Sequence, residues 1–342
     1  MIKIFKHLSI WIVISLVTQF GVLYYIDKYY LKTETTFKIE KVVTQVPKQQ
    51  EVSINIPQDA TKINASYDGK FISYCESDGL KTLDTTNGQI RVVTPDKGNK
   101  ILFYNWVSDR HRLIIAEDPA QGSGEIQLKS YDADKGIKNN VNNNITWSNS
   151  YTTVADIQIS QATNLIYVKV NRNSYKSEIY ENDVMNDVSE INTTSSRIGN
   201  IKIIPNADEL VYEDLYSNRI VSTNDKVSMN FSNIQKPVIL GADDDNNIYV
   251  GNVVNGLIAN IYYGQTDAPT SQWQSVKAPN GLDPNNLLVT ENGDIYVNDD
   301  LKGQVTALKT NQMTSYKGTL IKMTDNEILS QENGKLLKTT YK

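Results

Sequence analysis

Seven times in this chain a polar turn gives way to a short run of strand-forming residues, and that recurrence limits the fold more than any other feature. The units are Tyr67–Tyr74 (YDGKFISY), Ser108–Ile115 (SDRHRLII), Gln161–Val168 (QATNLIYV), Asn206–Tyr212 (NADELVY), Asp244–Val250 (DDNNIYV), Glu291–Val297 (ENGDIYV) and Thr324–Leu329 (TDNEIL). They recur at steps of 33 to 53 residues, about 43 on average, which is the period of four-stranded propeller blades. An apolar fraction of only 39% is compatible with this, because the 20 tyrosines and many Ile, Val and Thr residues suit pleated, half-buried surfaces.

The first repeat gives the clearest blade. Lys62–Ala65 reads as the inner strand, Lys70–Cys75 as the second, Leu80–Asp84 as the third and Gln89–Val93 as the outer, with Asp68-Gly69 and Asn87-Gly88 as tight turns. Continuing in this way places blades at about 61–94, 101–149, 154–193, 198–231, 237–279, 286–317 and 319–342. The last blade has sequence for three strands, so a segment from residues 36–56 is expected to supply the fourth and close the ring. The fold class is therefore all-β, a seven-bladed β-propeller over residues 52–342, with residues 33–51 as a tether and possible closing strand.

Ahead of it, Leu8–Ile26 is an uncharged and mostly apolar run of 19 residues. As a helix it would reach about 28 Å, enough to cross a bilayer core once. Lys3 and Lys6 precede the run, and Tyr24, Tyr25, Tyr29 and Tyr30 cluster at its end as interface-seeking aromatics do. Residues 1–32 are expected to form a cytoplasmic N-terminus and a single-pass anchor in the cytoplasmic membrane, with the remainder outside. A cleaved signal peptide fits less well, because the run ends in Tyr-Tyr-Ile without a small-x-small pair. Without residues 1–32 the chain holds 30 basic and 38 acidic residues, a formal charge of −8, which disfavours nucleic acid as a partner.

The stretch 67–90, with its Asp-Gly-Lys turn, apolar strand, Gly79-Leu80 strand and the ending Leu83-Asp-Thr-Thr-Asn-Gly88, resembles the blade repeat of TolB-like propellers and of the propeller domain of dipeptidyl-peptidase relatives. Elsewhere the match loosens, with Arg110, Thr163 or Asp208 in place of Gly69. The resemblance implies a propeller and says little about substrate.

Little in the chain points to catalysis. No Gly-x-Ser-x-Gly elbow occurs, and the only histidines are His7 and His111, the latter in an expected hairpin turn. Zinc sites built on His and Cys are excluded by the same shortage, and the lone Cys75 reads as a small buried hydrophobe. Asp243–Asn247 offers oxygens to calcium but lacks the spacing of an EF-hand loop, so a solvated turn is the competing reading. No cofactor is expected.

The ends of the second strands carry a subtler pattern: Glu76 and Asp78, Glu117 and Asp118, Glu213 and Asp214, Asp299 and Asp300, and Glu332. The third and fifth repeats depart from it with Asn171-Arg172 and Asn252. In a propeller these ends share one face, so the carboxylates would form an acidic rim able to attract a basic peptide or partner surface. Turn chemistry alone also favours Asp, Glu and Asn at such places.

The leading expectation is thus a membrane-anchored, non-catalytic module that binds an envelope protein or peptide, a basic one being suited to the rim. One alternative is a divalent-metal-dependent hydrolase or lyase at the channel mouth, with Glu76, Glu213 and Asp299 as ligands or bases. A weaker one is a cell-wall glycan binder using Trp147, Tyr151 or Trp273, provided that Trp147 or Trp273 is exposed.

Overall fold

Strand and turn signals alternate as expected, and the described residues form seven antiparallel blade sheets and one two-stranded ribbon. The computed structural model describes residues 2–26, 28, 54–119, 124–224, 229–231 and 234–341. The chain divides into two compact units, Met1–Gln50 and Glu51–Lys342.

In the first unit, Ile2–Ile26 is one α-helix. Among the described residues no helix is long and apolar enough to cross a membrane, so the expected spanning anchor rests on the sequence run alone. The expected tether over residues 33–51 lies outside the described residues.

The second unit is a seven-bladed β-propeller. Its blades cover residues 61–93, 99–142, 153–190, 198–222, 237–282, 287–315 and 319–340. Each is a meander in which sequence neighbours pair antiparallel, and the first strands of adjoining blades pack side by side around the central channel. The fourth blade shows three strands among the described residues. A two-stranded ribbon, Gly124–Glu125 with Trp147–Ser148, decorates the second.

Second strands are apolar almost without interruption because they lie mid-sheet with a neighbouring blade on each side. Phe71–Tyr74, Leu113–Asp118 and Leu210–Asp214 are buried at every position. Outer strands such as Ile137–Asn142 face water and lose that character. Where the turn glycine of the first repeat is missing, Asn164 and Asn246 take the left-handed conformation at φ 59° and 64°. Asparagine tolerates it better than other side-chain-bearing residues, which lets these two turns close without glycine.

The ring closes as the sequence implied. Asn55 bridges to Lys335, the Ile56 amide donates to the Gly334 carbonyl at 2.7 Å, and the Leu336 amide donates to the Ile54 carbonyl at 3.0 Å. Residues 54–56 thereby extend the seventh sheet, while Ile54 and Ile56 pack into a core shared by blades 1 and 7 with Tyr74, Leu83 and Leu329.

Six of the seven first strands carry a bulge or register shift. A bulge frees a backbone amide that must then find another acceptor. In blade 4 the carboxylate of Glu213 is that acceptor.

Candidate functional site

The propeller presents two turn faces. The turns joining second to third strands and the links between blades share one, which we term the link face. The turns joining first to second and third to fourth strands share the opposite one.

All the carboxylates at the ends of second strands belong to the link face, but they split into two groups. Glu117, Asp118, Glu213 and Asp214 are buried. Glu117 accepts from the Asp96 amide at 2.9 Å and pairs with Lys138 at 2.8 Å. Asp118 accepts from the Ser148 hydroxyl. Glu213 accepts from the amides of Asn200 and Ile239 at 2.9 and 2.7 Å. Asp214 accepts from the hydroxyls of Thr194, Ser195 and Ser217, and these bonds overcome the effect of burial to hold its carboxyl well below the usual range. These four brace the link loops and offer nothing to a ligand, which corrects the expectation of a rim continued through blades 2 and 4.

The accessible remainder is Glu76, Asp78, Asp299, Asp300 and Glu332, from blades 6, 7 and 1. They form an acidic arc, partly neutralised where Lys81 reaches Glu76 and Asp78 at 2.8 and 3.0 Å and Lys302 reaches Asp299 at 2.7 Å.

The same face also carries bare apolar tips, those of blades 3, 4 and 5 lying away from the arc and that of blade 6 lying within it. Tyr175 of blade 3 is 75% exposed, Tyr216 of blade 4 is 76% exposed, and Leu301 of blade 6 is exposed completely. Val254 and Leu257 continue the series on blade 5, and Trp147 and Tyr151 stand on the link from blade 2 to blade 3. Arg172 ties that link to blade 3 by donating to the Trp147 carbonyl and the Thr146 hydroxyl, while pairing with Glu178 at 2.6 Å. Trp273 is buried, with its indole nitrogen donating to the Ala268 carbonyl at 3.2 Å. The expectations weighed Trp147 and Tyr151 but missed Tyr175, Tyr216 and Leu301. Their signal was an apolar residue at the tip of a turn otherwise made of Asn, Asp, Ser and Lys.

The opposite face has its own charged centre. Lys202 and Lys322 come from the first strands of blades 4 and 7, yet Lys322 feels the charge of Lys202 and both feel Glu291 of blade 6. Only the central channel brings these blades together. Burial lowers the pKa of both amines. Burial likewise raises the carboxyls of Glu291 and Asp244, with Asp325 adding repulsion.

Between blades 1 and 2, His111 bridges Asp68 at 2.9 Å and Asp134 at 2.7 Å and stacks on Tyr67. The histidine is a clasp between blades, with no nucleophile placed beside it by any described contact.

Glu76, Glu213 and Asp299 sit on blades 1, 4 and 6 and are not brought together. Among the described residues no three His, Cys, Asp or Glu side chains are placed to hold a metal ion. Asp243 is buried, and its carboxylate accepts from the Asp245 and Asn247 amides and the Tyr249 hydroxyl at 3.1, 2.8 and 2.7 Å, so it organises its own turn. Cys75 is partly buried against the core between blades 1 and 2.

No family model matches this chain, and no curated protein matches it. Solved structures do. The oligogalacturonate lyase of Vibrio parahaemolyticus is similar at a TM-score of 0.54 and 11% identity, covering 82% of this chain and 88% of that one. The β-propeller domain of Cps50 (Swd1) from Myceliophteria thermophila is similar at 0.53 and 11%, covering 85% and 100%. At this identity the likeness shows the propeller fold alone.

Proposed function

We propose that this protein is a non-catalytic binding module that holds a partner protein or peptide across its link face. The observation that carries this reading is the set of exposed apolar turn tips, Tyr175, Tyr216 and Leu301, on the face that also carries the acidic arc, with Leu301 directly beside Asp300. Exposed tyrosines at the tips of rigid turns supply contact area at little entropic cost, and clustered exposed apolar groups mark interaction surfaces. The partner suited to this face presents apolar side chains beside basic ones, the latter meeting Asp78, Asp299 and Asp300.

The proposal places the propeller outside the cytoplasmic membrane, tethered by its N-terminal helix. Its support is the uncharged, mostly apolar run Leu8–Ile26.

Cross-linking in the envelope fraction tests the reading, with the full chain compared against a Tyr175→Ser, Tyr216→Ser, Leu301→Ser variant and an Asp78→Asn, Asp299→Asn, Asp300→Asn variant. A specific partner weakened by both variants is expected. A partner retained by both would move the binding surface elsewhere and sink the proposal.

The glycan reading keeps one foothold in the exposed Trp147 and Tyr151. Binding of wall fragments lost in Trp147→Ala but kept in the Tyr175, Tyr216 and Leu301 variant would favour it instead.

A further inference from the structure

On the opposite face, a groove of about 340 Å³ runs between blades 2 and 3. Its floor is formed by Val107, Ile114, Ile159 and Ile166, all buried members of the core between these blades. Two arginines enter it. Arg110 is fully engaged, gripping Asp109 through two bonds of 2.7 and 2.8 Å and donating to the Asn164 side chain at 3.0 Å.

Arg112 differs. It is partly buried at the start of the strand Arg112–Pro119, and among the described residues its guanidinium has neither a hydrogen-bond acceptor nor an ion-pair partner. The one carboxylate in the groove wall, Asp183, is directed to its own turn and accepts from the Met185 and Asp187 amides, each at 2.8 Å. At the lip, Val184 is exposed to water although it is apolar, as is its neighbour Met185 just outside the groove. The groove therefore combines an apolar floor, an apolar lip and a single unpaired cation, in a volume within the usual range for small-molecule sites.

We propose that this groove binds a small free carboxylate with an aliphatic body. The planar guanidinium of Arg112 would take both carboxylate oxygens, as arginine does wherever geometry allows, and the chain would lie over Ile114, Ile159 and Ile166 towards Val184. A single arginine suits a monoanion, whereas a phosphate dianion would call for further donors. Such a ligand would sit on the face turned away from the proposed partner surface, so both could be bound at once.

The test uses the full chain, with hexanoate as probe and hexanamide as its uncharged counterpart, followed by ligand-observed NMR. Hexanoate should bind, and Arg112→Met, which keeps the length and apolar stem of the side chain, should weaken it by about tenfold or more. Hexanamide should bind more weakly than hexanoate and be insensitive to that change. Val184→Asp, at an exposed position, should also weaken hexanoate. Equal binding of hexanoate to the native chain and to Arg112→Met would overturn the proposal. So would binding confined to an acetylated peptide with a free C-terminal carboxylate, which would make the groove a chain-end reader.

Discussion

The carboxylate of Glu213, on the second strand of blade 4, accepts the amide hydrogen of Ile239, on the first strand of blade 5, at 2.7 Å. Its other oxygen takes the Asn200 amide that the bulge in the first strand of blade 4 releases from the ladder. One side chain thus satisfies two backbone donors from different blades, the Ile239 amide in a buried bond and the Asn200 amide in a part-buried one. Glu213→Ala should destabilise the propeller by roughly 2–4 kcal/mol, since both amides lose their acceptor. Glu213→Gln, which keeps one acceptor oxygen and sheds a charge that burial disfavours, should cost less. Urea unfolding of both variants measures the difference, and an equal loss would contradict this account of the residue.

Gly199 makes that arrangement possible. A Cβ there would overlap Glu213 Oε2 and lie 2.9 Å from both Glu213 Cβ and Leu215 Cδ2. The carboxylate is held by its two amides and cannot retreat. Gly199→Ala is expected to lower Tm by several degrees, and the combination with Glu213→Ala should lose less than the two separate effects added together.

At blade 3, burial alone would raise the carboxyl of Glu178, but hydrogen bonds from Lys176, Tyr180 and Arg172 outweigh it and bring the value down to about 2. A carboxyl depressed on folding stabilises the protein above its unfolded pKa of about 4.3 and loses that contribution as pH falls through the folded value. After allowance for solvent screening this amounts to about 1–2 kcal/mol. The stability gap between the native chain and Glu178→Gln should be constant above pH 5 and narrow between about pH 4.3 and 2. A gap unchanged across that window would show that the charge contributes nothing.

Glu291 at the channel behaves in the opposite sense. Burial raises its carboxyl, the nearby Asp244 and Asp325 add to this, and Lys322 and Lys202 only partly compensate. Ionised Glu291 is a liability above its raised pKa, and the liability fades as pH falls towards the unfolded value. Glu291→Gln should therefore melt higher than the native chain at pH 7, with the advantage gone near pH 4. Thermal melts at the two pH values decide the matter.

The blade pattern was legible in the sequence because each turn and second strand is rebuilt seven times under the same constraint of burial on both faces. Even the closing strand could be placed, since the last repeat was one strand short. The rim was not legible, and Glu213 and Asp299 show why. Both end a second strand and look alike as letters. Glu213 meets a bulge and a neighbouring strand that both present bare amides, and is buried. Blade 6 has no such bulge, and Asp299 stays at the surface with Lys302. Whether a carboxylate is free depends on what the adjacent blade leaves unpaired, and that lies beyond its own repeat. Arg112 was hidden for the same reason, because an unpaired cation is defined by partners that do not arrive.

The seam at residues 54–56 has a mechanical consequence. Any tension carried along the chain from the N-terminal side enters the propeller at Ile54, where the Ile56 to Gly334 and Leu336 to Ile54 bonds hold it, and not at a full inter-strand ladder. The ring would yield there first, opening between blades 7 and 1 while the individual sheets stay intact. In single-molecule pulling from residues ahead of 54, a small early rupture should precede blade unfolding, and Ile56→Gly should abolish that first event alone. The junction that completes the ring would then also act as its fuse under load.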